Sequence, residues 1–196
     1  MLDNPMVVSA ILWGNYARLK RTALEEVVPG QNVLQAACVY GGFSADLARR
    51  VGPAGRLDVV DIAPIQVENC RRKLAGLDHA WVRLGDAASP GGGPFEAVLC
   101  FFLLHELPES YRRAVVDGLL AIVGPGGKVV FVDYHRPHCR HPLRWVMNLV
   151  FRWFEPFAAG LLETEIAKLA TDAGAFRWHK RTFFGGLYQK VVAERR

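Results

Sequence analysis

Short apolar runs rich in valine alternate with segments of helical period from about Gln31 to Asp133. Runs of this length, bounded by turn formers, suit strands buried on both faces, and strand–helix alternation joins such strands side by side in parallel. The pattern predicts strands at Asn32–Cys38, Arg56–Val60, Ala80–Leu84, Ala97–Phe102 and Lys128–Asp133. Helices lie between them. Phe43, Leu47 and Val51 recur at every fourth position, and Val115, Val116, Leu119, Leu120 and Val123 share one side of a helix over Ser110–Val123. Gly124-Pro125-Gly126-Gly127 then stops the helix and turns into the next strand. Towards the far end, the β-prone runs on either side of Gly185-Gly186, from Lys180 to Val192, read as a hairpin. The pattern is that of an α/β fold with a mainly parallel sheet.

Composition adds little to that picture. With 196 residues, 51% of them apolar, the chain suits a single domain spanning 1–196, with a helical lid expected at 1–30 and an aromatic lid or membrane-interface helix at 138–165. An excess of 24 Lys and Arg over 19 Asp and Glu gives a net charge of +5, compatible with an acidic ligand, anionic lipid or nucleic acid and selecting none of them. Cys38, Cys70, Cys100 and Cys139 form no CxxC pair, which fits a reduced thiol set better than a disulfide framework. The apolar run Pro5–Trp13 follows Asp3 without a basic region or cleavage site, so no signal peptide is expected. It is also shorter than the ~20 residues a spanning helix needs.

The segment His141–Phe154 is distinctive. On a helix Arg144, Asn148 and Arg152 make one narrow stripe, and nearly everything else is apolar or aromatic. At ~1.5 Å per residue it is too short to cross a bilayer. It is therefore a substrate lid, an interfacial helix with Arg and Trp at headgroup level, or a plain buried helix. Met6–Leu19, with Ile11, Leu12, Trp13 and Tyr16, is expected to pack beside it. The aromatics keep company with aliphatics rather than with a basic groove, which argues against nucleic acid. No signal for an oligomeric state is evident.

VLQAACVYGGFSADLARR resembles the first motif of the class I S-adenosylmethionine-dependent methyltransferases, and LDVVDIAP the second. GDAAS is similar to the end of that superfamily's third strand, and FEAVLCFFLLHEL and VGPGGKVVFVDYHRP to its fourth and fifth. The resemblance covers roughly Asn32 to Pro137 plus the hairpin. It implies a doubly wound, Rossmann-like sheet ending in an antiparallel hairpin, with S-adenosylmethionine beyond the carboxyl ends of the strands. Gly41 stands where the superfamily keeps a glycine, whereas Ala37 and Val39 replace two others and Gln35 replaces the usual acidic residue. Valine disfavours positive φ and crowds the backbone, so the loop is expected to differ in conformation or to hold its ligand differently; a fold that has lost its cofactor is the alternative. Asp61 is implied to accept hydrogen bonds from the ribose hydroxyls, the alternative being a solvated turn residue. Asp86 is implied to bind the adenine amine and could equally cap a helix. Ile62 and Ala87 would contact the base, and Tyr40 and Phe102 complete the expected cofactor set.

His105 and Glu106 follow the fourth strand, and Asp133, Tyr134 and His135 end the fifth, so all five are expected at the same rim. Catalytic candidates are His105, Glu106, Tyr134 and His135, with a histidine as general base or metal ligand. His105, Asp133 and His135 form a candidate set for a hard or borderline divalent cation; structural histidines are the alternative. His138, Cys139 and His141 lack zinc-ligand spacing. The strings ILWGNYARLK, VYGGFS, DVVDIAPIQ, FFLLHELPE, VDYHRP, EPFA and KRTFFGGLYQKVV are similar to the rhodoquinone-biosynthesis family RquA, which is related to quinone methyltransferases. In that family a VYG-containing first motif replaces the glycine-rich one; Ser44 here stands in place of its threonine. The resemblance implies conversion of ubiquinone to rhodoquinone, a ring methoxy group being replaced by an amino group from S-adenosylmethionine with manganese assistance. It implies a quinone substrate and peripheral contact with the inner face of a membrane, on the cytoplasmic or matrix side. A conventional quinone or small-molecule methyltransferase and a noncatalytic membrane-associated binding protein are the competing readings.

Overall fold

The computed structural model describes residues 12–143, 145–147 and 157–196. Seven strands form one sheet: β1 (Asn32–Ala36), β2 (Arg56–Asp61), β3 (Ala80–Leu84), β4 (Phe95–Phe101), β5 (Val123–Tyr134), β6 (Phe176–Phe183) and β7 (Tyr188–Arg195). Their order is β3-β2-β1-β4-β5-β7-β6. The first five are parallel, and β7 enters antiparallel between β5 and β6. The helices are α1 (Tyr16–Leu24), α2 (Phe43–Val51), α3 (Pro64–Lys73), α4 (Glu109–Ala121) and α5 (Ala158–Leu162).

Successive strand side chains point to opposite faces, and here both faces are covered. Val33, Val59, Leu99 and Val130 pack with α1 and α2 on one side, while Leu34, Val60, Val98 and Val129 pack with α4 on the other. Double burial is why the central strands read as unbroken apolar runs. The edges differ. On β6, Arg177, His179, Lys180 and Arg181 are solvent-facing or half-buried, and positive charge on an edge strand discourages pairing with another chain.

β1 ends at Ala36 rather than Cys38, β4 runs from Phe95 to Phe101 rather than from Ala97 to Phe102, α4 runs from Glu109 to Ala121 rather than from Ser110 to Val123, and the largest departures are in β5 and the hairpin. β5 starts at Val123, not Lys128: Phe95 pairs with Val123 and Ala97 with Lys128, so the Gly-Pro-Gly-Gly stretch is an irregularity inside the strand. Gly127 permits this approach, because a Cβ there would lie 2.9 Å from the Glu96 carbonyl oxygen. The hairpin arms are also longer than expected, reaching from Phe176 to Arg195. Much of the aromatic stretch is not covered: Arg144 and 148–156 lie outside the described residues, as do Met6 and Ile11 of the expected N-terminal lid. Among the described residues no helix is long and apolar enough to cross a membrane.

Candidate functional site

Parallel pairing in register brings the strand ends level. Gln35 sits opposite Val59 and Leu99, and Asp61 opposite Leu84. Beyond these ends opens a cavity of about 510 Å³. Ala37, Val39, Tyr40 and Asp61 line it, joined by Ile62, Asp86, Ala87 and Phe102; His105, Glu106 and Tyr134 form a further part of the wall. Gln35, Gly41 and Asp133 stand behind that wall, and His135 lies away from it.

Asp61 fastens the first loop. Its Oδ2 accepts from the Cys38 amide at 2.6 Å and its Oδ1 from the Ala63 amide at 2.8 Å. One carboxylate thus ties the β1–α2 turn to the β2–α3 turn, and its negative charge strengthens both bonds. Gln35 is fully buried; its Nε2 donates to the Ala37 carbonyl and to Ser44 Oγ, each at 2.8 Å, while its Oε1 is buried with no partner. Gly41 has φ +76°, and a Cβ there would lie 3.0 Å from the Tyr16 hydroxyl, so both conformation and space favour glycine. Tyr16, from α1, donates to the Tyr40 carbonyl at 3.4 Å, and Gln66 Nε2 donates to the Tyr40 hydroxyl at 2.9 Å. At the next strand end Asp86 accepts from the Ala88 amide at 2.8 Å and from the Tyr111 hydroxyl. The bond to Asp86 pushes the Tyr111 phenol above its usual pKa range.

The fourth and fifth strand ends meet differently. Asp133 is 1% exposed, and four donors converge on it. Its Oδ1 accepts from the Tyr134 amide at 2.7 Å and is 2.8 Å from His105 Nδ1, while Oδ2 accepts from the Leu104 amide at 2.9 Å and the His105 amide at 3.4 Å. A carboxylate on Nδ1 selects the Nδ1–H tautomer, which makes Nε2 the acceptor nitrogen of the ring. Phe102 and Tyr134 stand edge-on to this imidazole, with centroids 5.9 and 4.8 Å away. Phe102 itself holds φ +53°. Such backbone strain in a bulky residue is concentrated at functional sites.

The family model described as a methyltransferase domain matches residues 33–127. An uncharacterized methyltransferase of Synechocystis sp. is 28% identical over 185 residues, 92% of this chain and 84% of that protein. A ubiquinone biosynthesis O-methyltransferase of Chromobacterium violaceum is 26% identical over 154 residues, 75% of this chain and 65% of that one. Among solved structures, the N-methyltransferase NodS of Bradyrhizobium japonicum in complex with S-adenosyl-L-homocysteine superposes with a TM-score of 0.65 at 17% identity, covering 98% of this chain and 89% of its own. The fold is that of a class I methyltransferase.

S-adenosylmethionine, the cofactor of such methyltransferases, fits the donor and acceptor pattern found here. Its ribose hydroxyls and adenine amine are donors, and the acceptors Asp61 and Asp86 stand at neighbouring strand ends, with Ile62, 67% exposed, and Ala87 on the same cavity wall. The manganese set does not fit in the same way. Among the described residues no three His, Cys, Asp or Glu side chains converge as a metal site. Both Asp133 oxygens are engaged by the donors above. His135 turns away: its Nδ1 is 2.7 Å from the Gly186 carbonyl oxygen and its Nε2 is 2.9 Å from Lys180 Nζ, which also binds Glu165. Burial there lowers the His135 pKa, and the Lys180 charge adds to the effect. The cavity also includes groups that carry no strong sequence signal: Cys38, Gln66 and Tyr111. Gln66 stands five residues past Asp61 in DIAPIQ, in the first turn of α3, which is the one local hint.

Proposed function

We propose that this chain is an S-adenosylmethionine-dependent transferase acting on the ring of a quinone, and that it moves the cofactor's amino group, converting ubiquinone to rhodoquinone. The observation that carries a quinone reading is an imidazole oriented by a buried carboxylate, His105 on Asp133, against a wall of Phe102 and Tyr134. A flat, apolar ring with oxygen substituents suits such a wall. Support for amino transfer comes from the likeness of VYGGFS and its companion strings to the RquA family, and from a first loop in which Val39 and Tyr40 line the cavity in the region of the usual glycines.

When bound, S-adenosylmethionine supplies both an electrophilic sulfonium methyl and an amine, and its placement selects between them. Asp61 and Asp86 would hold the adenosine. Tyr16 and Leu12, on the cavity wall, would keep water from the reacting end. Replacing the methoxy group by the cofactor's amino group would form a ring C–N bond and break two others: the ring C–O bond, whose oxygen leaves as methanol with a proton taken from nitrogen, and the cofactor's Cα–N bond, with the quinone taking up the two electrons and water supplying the oxygen as Cα becomes a 2-oxo acid. His105 Nε2 would carry that proton. The exposed Trp13, Trp145, Val146 and Phe157 support peripheral contact with a membrane holding the substrate.

A second reading, methylation of a ring hydroxyl, is favoured by the same histidine, which would serve as base for a phenol, and by the ubiquinone biosynthesis O-methyltransferase relative. Mass spectrometry of quinones after incubation of the chain with S-adenosylmethionine and ubiquinone or a hydroxylated precursor, with and without manganese, separates them. An aminoquinone supports the first; a methylated ring with S-adenosylhomocysteine supports the second. Cofactor binding with neither product would refute both.

A further inference from the structure

Arg112, near the start of α4, is 1% exposed and is the largest fully enclosed side chain among the described residues. Its Nε donates to the Leu104 carbonyl at 2.9 Å. Its Nη2 donates to the carbonyls of Leu107 and Phe157, each at 2.9 Å. Leu104–Glu106 is the single 3-10 turn that carries His105. The guanidinium therefore grips that turn at both ends and joins it to the residue preceding α5.

A turn this short has little structure of its own: its internal bonds are Glu106 amide to Leu103 carbonyl at 3.1 Å and Leu107 amide to Leu104 carbonyl at 3.3 Å. Leu104 is held from both sides, its amide by Asp133 and its carbonyl by Arg112. Burial lowers the Arg112 pKa and the Asp133 charge offsets this, so the cation and the carboxylate that orients His105 also interact electrostatically. A methionine or leucine would fill the space without the desolvation penalty of a buried cation. Stability alone does not explain an arginine here.

We infer that Arg112 is a positioning residue for His105: it holds the 104–107 turn so that the imidazole keeps its bond to Asp133 and its place on the cavity wall. The inference rests on the proposed use of His105 as proton carrier. Arg112→Lys keeps the charge and loses the planar three-way fork; Arg112→Met removes both. In the full chain we would measure S-adenosylmethionine affinity by calorimetry, quinone turnover, and the downfield proton resonance of His105 Nδ1–H, assigned by its loss in His105→Asn. Both variants should bind S-adenosylmethionine within about threefold of the parent, while kcat falls by about tenfold or more at a similar quinone KM. The His105 resonance should shift or broaden in both.

An unmoved resonance with parental kcat in either folded variant would overturn the inference. So would parallel loss of cofactor binding and turnover, or failure of both variants to fold, each of which marks a purely structural cation. If the parent turns over no quinone, the functional reading fails, and the His105 resonance still decides whether Arg112 positions the ring.

Discussion

Asp61→Ala tests the cofactor site most directly. The substitution removes a carboxylate that is 9% exposed and accepts from the Cys38 amide at 2.6 Å and the Ala63 amide at 2.8 Å. Two effects should separate. The loop loses its tie, leaving two amides at the cavity edge that water can partly satisfy, which costs ~1–3 kcal/mol of stability. On the proposed ribose role, the cofactor would also lose a charged acceptor for its two ribose hydroxyls. At ~1.5–3 kcal/mol for each bond to a charged group, less some replacement by water, the affinity loss is about 3–5 kcal/mol. That corresponds to roughly 150- to 5,000-fold in Kd. Calorimetric titration of S-adenosylmethionine, paired with a thermal melt to show that the variant is folded, measures both effects. Asp61→Asn should fall between, since it keeps one acceptor oxygen and sets an amide against one of the backbone donors. A folded Asp61→Ala chain whose affinity drops by less than about fivefold would refute the ribose role. Fastening the loop would then be the whole task of this residue.

His105→Asn should leave S-adenosylmethionine affinity within about threefold while lowering turnover by roughly 10²- to 10⁴-fold, the usual range for a lost general base; near-parental turnover would remove His105 from the chemistry. Ala37 holds φ +67°, so Ala37→Gly should be neutral or stabilising by up to ~1 kcal/mol and Ala37→Val destabilising by ~1–3 kcal/mol in urea melts; the opposite order would be incompatible with that backbone. Burial alone would raise the pKa of Glu26, but Lys190 and Lys128 outweigh it and hold the carboxyl below the ordinary glutamate value of 4.5. Its contribution is therefore present above pH 4.5 and is lost as pH falls through the lower folded value. Glu26→Gln should cost ~1–3 kcal/mol at neutral pH, where Lys190 is left enclosed without its anion, and the gap from the parent should close on acidification; a gap that widens would reverse the sign of the argument.

How much could be read beforehand depended on which forces acted locally. The parallel strands were legible because burial on both faces imposes runs such as Leu57-Asp58-Val59-Val60, and Asp61 and Asp86 stood out as carboxylates where those runs stop. The start of β5 was not, since Gly-Pro-Gly-Gly carries every local mark of a turn and is held extended only by pairing with β4. β6 was shortened for a related reason: as an edge strand it shows Arg177, His179 and Lys180 on accessible positions, so its apolar signal is thin. At the site, position along the chain placed His105 and Asp133 near the rim. It could not show that Asp133 has its oxygens filled by donors from Leu104, His105 and Tyr134, nor that His135, just past the strand end, swings to Gly186 and Lys180. Arg112 and Tyr111 lie on a helix whose pattern only says which side faces the sheet. Their reach across to the 104–107 turn and to Asp86 is a tertiary fact.

The first loop shows how a glycine turn survives without most of its glycines. Left-handed backbone is retained at Ala37, φ +67°, and at Gly41, φ +76°. Val39 is absent from the residues with positive φ, so a β-branched side chain meets no backbone penalty there. Alanine in a left-handed conformation costs ~1–2 kcal/mol relative to the right-handed one, and the surrounding bonds offset it. The Ala37 amide donates to the Val60 carbonyl at 2.8 Å, its carbonyl accepts from Gln35 at 2.8 Å, and the next amide is held by Asp61 at 2.6 Å. Gln35 is thus recruited to the loop, which explains how a neutral amide can occupy a position where related folds keep an acid: its Nε2 must donate to a carbonyl, and a carboxylate could not. Gln35→Glu should therefore lose the bond to the Ala37 carbonyl and perturb the loop, whereas Ala37→Gly keeps that carbonyl and its bond.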